Sequence, residues 1–91
     1  MKPRITIEMS AQGELEIHLN EAGRDLLVDE LKHLSEKSDH FHLGFAGLSE
    51  VEISSRPYGR DAQPIETGKV LFRTDAWDRQ YFPHVLDDKA S

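Results

Sequence analysis

The chain opens on strict alternation: Ile5, Ile7 and Met9 are apolar, and Arg4, Thr6 and Glu8 between them are polar. Strand side chains point to opposite faces in turn, so this pattern predicts a half-buried strand. Ser10-Ala11-Gln12-Gly13 supplies turn residues. A second alternation follows, with Leu15, Ile17 and Leu19 on one face and Glu14, Glu16 and His18 on the other. Together the two runs predict an antiparallel hairpin. At Asn20 the period changes. Asn is a favoured helix N-cap, Glu21 and Asp25 suit the positive end of a helix dipole, and Leu27, Leu31 and Leu34 form one stripe with Leu26 beside it. The spacing predicts a helix from about Glu21 to about Lys37. Gly23 costs that helix about 0.5–1 kcal/mol relative to alanine unless close packing requires it.

Alternation then returns. Phe41, Leu43 and Phe45 interleave with His40, His42 and Gly44 as a third strand, and Val51 and Ile53 with Glu50, Glu52 and Ser54 as a fourth. Arg56 to Gly68 contains Pro57, Gly59 and Pro64 and predicts a long loop. Lys69 to Arg73 predicts a fifth strand. Asp75 caps a short helix in which Trp77 and Tyr81 sit four apart, before Pro83, and residues 87–91 form a polar, frayed tail. The order ββαβββ predicts a single α+β domain over residues 1–91: an antiparallel sheet of about five strands with one long helix on one face. Ile5, Ile7, Leu15, Ile17, Leu27 and Leu31 are the expected core, each contributing roughly 1.5–3 kcal/mol before chain entropy is subtracted. Trp77, Tyr81 and Phe82 read as a lid over one end of that core rather than as a binding patch.

Charge narrows the function. Lys and Arg number 11 against 17 Asp and Glu, a net charge of −6. That balance argues against nucleic acid and anionic membrane surfaces as partners, since both need clustered cations. Cysteine is absent, and no apolar run is long enough for a membrane span or a signal-peptide core. The expectation is a soluble, cytoplasmic domain. The alternation that sends Ile7 and Ile17 inward sends Glu8, Glu16, His18, His42 and Glu52 outward, together with Thr6. An exposed, carboxylate-rich sheet face suits a basic protein partner, with charge acting mainly on association rate and on exclusion of wrong partners. The Arg56–Gly68 loop adds Arg56, Tyr58 and Arg60, residue types that often anchor protein interfaces.

Two chemical alternatives stand beside this. The H-x-H pair His40 and His42 projects to one side of its strand, and His18 or Glu16 on a neighbouring strand would complete a tetrahedral metal set. Glu8 and Glu16 would serve as acid and base only inside a partly dry pocket, which a flat sheet face lacks. No serine lies in a nucleophile-elbow context and no glycine loop is followed by the Lys-Ser/Thr of a P-loop. The expectation is a non-catalytic chain without a cofactor. Pairing of the exposed sheet face with another copy is a third reading.

The segment Asp39-His40-Phe41-His42-Leu43, the opening hairpin, the single helix, the Glu-rich strand after it and the Lys69-to-Phe72 strand together resemble a group of small bacterial α+β proteins, the immunity protein thirty-two family of polymorphic toxin systems. Where that family carries a Gly- and Trp-containing stretch, this chain has Gly44-Phe45-Ala46-Gly47-Leu48-Ser49-Glu50, without the tryptophan. The resemblance implies a cytoplasmic protein that binds and neutralises a toxin domain. Nuclease toxins tend to be basic, which an acidic surface would fit.

Overall fold

In the computed structural model, residues 1–47 and 49–86 are described. The opening hairpin forms as the alternation predicts, with β1 (Ile5–Met9) and β2 (Leu15–Leu19) antiparallel and Ile7 opposite Ile17. Gly13 in the turn takes φ +85°, a conformation open to glycine. Asn20 then caps α1 (Glu21–Lys32): its Oδ1 accepts the Gly23 N–H at 2.7 Å and the Arg4 N–H at 2.8 Å, while its Nδ2 donates to the Lys2 carbonyl. One side chain therefore ties the helix start to the chain entering β1.

The helix is shorter than the leucine spacing predicts. It ends at Lys32; the His33 and Leu34 N–H groups bond back to the Glu30 and Leu31 carbonyls, and beyond them the Ser35 hydroxyl accepts from the Lys37 and Ser38 N–H groups. Serine side chains that bond nearby backbone compete with helical continuation. Leu34 still packs on the core from beyond the helix.

The remaining strands are β3 (His40–Gly44), β4 (Val51–Glu52), β5 (Gln63–Pro64) and β6 (Thr67–Leu71), followed by α2 (Asp75–Tyr81). A single-turn helix, Pro83–Leu86, follows α2. The α+β class holds, but the single antiparallel sheet does not. Instead there are two three-stranded sheets, ordered β2-β1-β5 and β4-β3-β6, and β4 runs parallel to β3. The short helical turn Phe45–Gly47, with Gly47 at φ +73°, redirects the chain between these two strands. The predicted loop also contains β5 and the start of β6. The sheets meet at one peptide step: the Ile53 N–H donates to the Gly44 carbonyl, and the next N–H, of Ser54, donates to the Ile5 carbonyl.

Ile5, Ile7, Phe41, Leu43, Val51 and Ile53 form the buried core, with Leu26, Leu27 and Leu34 packed against it. Leu15, Ile17 and Leu31, expected inside, are 55%, 52% and 45% exposed. The reason is position. Helix α1 lies against the start of β1, where Gly23 meets Arg4 and Ile5, and β2 is the outer strand of its sheet. The aromatic lid is also corrected. Thr74, not Asp75, caps α2, and Trp77, Tyr81 and Phe82 pack on one another, outside the core cluster, with Tyr81 and Phe82 largely exposed. The predicted frayed tail lies outside the described residues.

Candidate functional site

The polar row of the first sheet is not an open face. Thr6 and Glu8 are fully buried, because the segment after β4 leaves the edge of β1 at Ser54, arches over that face and rejoins the same edge through Ile65, whose N–H donates to the Ile7 carbonyl. Glu8 anchors the arch. Its Oε1 accepts the Tyr58 N–H at 2.8 Å and its Oε2 the Gly59 N–H at 3.1 Å. These N–H bonds, the Tyr58 one foremost, hold the Glu8 carboxyl below its ordinary value of 4.5 despite the opposing cost of burial, and nearby His18 lowers it further. Glu8 is thus withdrawn from the proposed docking surface; a buried carboxylate without donors would be costly, and the loop supplies them.

His18 completes the arrangement. Its Nε2 lies 3.2 Å from Glu16 Oε1 and 3.5 Å from Glu8 Oε2, and its ring stacks on Tyr58 with centroids 4.0 Å apart and planes 11° from parallel. The loop closes on itself through a turn in which the Ala62 N–H donates to the Gly59 carbonyl and Asp61 adopts φ 61°. Aspartate tolerates that left-handed conformation better than most residues. Tyr58, Arg56 and Arg60 remain exposed on the outside, and neither arginine forms an ion pair among the described residues. The Thr6 hydroxyl, buried beneath, has no hydrogen-bond partner among the described residues.

Of the predicted site residues, the structure therefore unites Glu8, Glu16, His18 and Tyr58, with Arg60 on the same arch. Glu52 instead lines a cleft of about 480 Å³ beside Lys2–Ile5, which Arg56, where the arch begins, also lines. His42 lies on the other sheet, where its N–H donates to Glu50 Oε1 at 2.7 Å and its ring meets His40 edge-on at 5.0 Å. The H-x-H pair does project to one side, as the spacing predicts, but His18 and Glu16 do not complete it. His40 pairs with Asp39 at 2.8 Å, and that bond, ahead of the Arg73 guanidinium at 3.2 Å, holds the Asp39 carboxyl below its ordinary value. The His42 N–H does the same for Glu50. The trio that can converge on a metal among the described residues is Glu8, Glu16 and His18, whose ligand atoms all lie within 4.8 Å of one another.

The sequence reading missed two contributors. Glu50 was assigned only to a strand, and nothing local marks its reach back to His42. Arg73 lies 4.4 Å over the Trp77 ring and pairs with Asp39. These residues line a second, shallow cleft of about 310 Å³ with Glu36 and Tyr81. Comparison of the chain with protein-family models, curated proteins and solved structures found no match.

Proposed function

We propose that the chain is a non-catalytic protein-binding module whose recognition element is the Arg56–Arg60 arch, and that its role is to neutralise a basic toxin domain. The observation that carries this reading is the double N–H grip of Glu8 on Tyr58 and Gly59. It holds the arch against the sheet in advance of binding, so little conformational freedom is lost on association. Tyr58 and the two arginines supply area and directed hydrogen bonds, the usual chemistry of interface anchors. Glu16 and the net charge of −6 favour approach of a cationic partner.

The test is calorimetric titration against a panel of basic nuclease-type toxin domains at low and high salt. A complex is expected that weakens with salt and loses about tenfold or more in affinity in Y58A, with a smaller loss in E16Q. A panel with no binder, or a complex indifferent to both substitutions, would remove the reading.

The Glu8–Glu16–His18 trio favours a second reading, a metal-regulated domain. The 3.2 and 3.5 Å separations from His18 Nε2 match the ligand-to-ligand edges, about 3.3 Å, of a tetrahedral zinc site with bonds of about 2.0–2.1 Å. On this reading, zinc added to chelator-treated protein raises Tm with concentration, and H18A abolishes the rise. An unchanged Tm up to millimolar zinc eliminates it.

A further inference from the structure

The outer edge of β2 is an unpaired strand edge with a sequence that is its own complement. Ile5 and Ile7 direct their carbonyls away from β2, where they accept from Ser54 and Ile65. Arg4 accepts from Asn20 on the β2 side, and Glu14 accepts from Ser10. Backbone groups of successive strand residues alternate between the two edges, so Glu16 and His18 bond β1 through their pairs with Glu8 and Thr6. The N–H and C=O groups of Leu15, Ile17 and Leu19 therefore point outward. No strand pairs with that edge among the described residues.

Exposed edges are commonly blunted by lysine, proline or a bulge. Strand β2 has none of these: it reads Leu-Glu-Ile-His-Leu and pairs with β1 in an unbroken register of five residues. Its apolar row is exposed as well, at 55% for Leu15, 52% for Ile17 and 40% for Leu19.

We propose that this edge pairs with the same edge of a second copy of the chain, antiparallel about a two-fold axis at Ile17. That axis places Ile17 opposite Ile17, Leu15 opposite Leu19, and Glu16 opposite His18 of the second copy. The outward backbone groups of Leu15, Ile17 and Leu19 then meet as hydrogen-bonded pairs. The apolar rows become continuous, and each carboxylate faces an imidazole across the seam. Opposed residues in such pairs interact favourably when their charges are opposite or both are apolar. A second copy is favoured over an unrelated strand because the complementarity is internal to this five-residue sequence, as a closed two-fold interface requires. The two three-stranded sheets containing β2 become one six-stranded sheet. The arch carrying Tyr58 is not part of the seam's backbone edge, although His18, on which Tyr58 stacks, flanks it, so the seam is tested at Ile17 and the arch at Tyr58.

Sedimentation equilibrium with chelator present, from about 20 µM to about 1 mM, tests it. The mass is expected to rise from 10.4 kDa towards twice that value. I17K, which puts a charge at the two-fold axis on an already exposed position, is expected to weaken pairing about tenfold or more with its circular dichroism unchanged. Register is read separately. The chain has no cysteine, so I17C alone is expected to give a disulfide-linked dimer on mild oxidation, since opposed strand residues lie about 5.5 Å apart at Cα. L15C is expected not to crosslink, because the two-fold separates its copies by about 14 Å. A monomer at every concentration, an I17K variant that pairs like the parent, or equal crosslinking of L15C and I17C would overturn the proposal.

Discussion

Replacing Gly23 with alanine is expected to lower Tm by about 10 °C, although alanine is the better helix former. A Cβ at this position would lie 2.5 Å from the Arg4 carbonyl oxygen, 2.9 Å from Ile5 Cγ1 and 3.0 Å from Asn20 Oδ1. The gain in helix propensity is about 0.5–1 kcal/mol. Against it stands overpacking of a tight contact, about 1–3 kcal/mol. The obstacle is partly backbone, which cannot rotate aside as a side chain can. Lifting the helix to make room would also stretch the bonds by which Asn20 joins Gly23 to Arg4, and a lost cap costs about 0.5–2 kcal/mol more. The balance is a net destabilisation of about 2 kcal/mol. Thermal denaturation followed by circular dichroism reads it directly, and an unchanged or raised Tm would show that the helix-to-strand approach tolerates a methyl group.

The second large effect is expected from Glu8→Gln. The amide preserves size but offers one oxygen where two N–H donors need acceptors, so its NH2 group faces either Tyr58 or Gly59 donor to donor. A fall in Tm of about 5 °C or more is expected near neutral pH, with faster hydrogen exchange at the Tyr58 and Gly59 amides. The effect carries a pH signature. The folded-state value of Glu8 lies below its ordinary 4.5, so its stabilising contribution is complete above about pH 4.5 and disappears as pH falls through the lowered value. The parent and E8Q are therefore expected to converge in acid. Asp39 and Glu50, also lowered, make both proteins acid-sensitive but do not alter the difference between them. A gap that persists undiminished to pH 3 would show that the carboxylate charge is not what holds the arch.

The hairpin was legible because a period of two is written into its residues, and the observed pairing matches it from Ile5–Leu19 to Met9–Leu15. Alternation specifies which residues share a face; it does not specify what lies over that face. Glu8 and Glu16 occupy equivalent places in equivalent patterns, yet one is sealed and the other half-exposed. The difference comes from a segment 50 residues further on that folds over the inner strand alone. Ile7 and Ile17 differ for the converse reason: Ile7 lies on the central strand of its sheet and belongs to the core cluster, whereas Ile17 lies on the outer strand and stays exposed. The parallel pairing of β4 had no local signal, because two residues carry too little pattern to show direction. The metal-capable trio was only partly visible. His18 and Glu16 were candidates, but the chain pairs them with Glu8 on the neighbouring strand rather than with His40 and His42.

The peptide step from Ile53 to Ser54 has a mechanical corollary. Successive amides are claimed by different ladders, one ending at Gly44 and the other at Ile5. Neither half of the β structure can peel away without straining the bond beside it, so the described fold should melt as one cooperative unit rather than in two stages. A rivet of this kind also makes the partnership late to form, since the first strand and two segments from the middle of the chain must be in place before it closes.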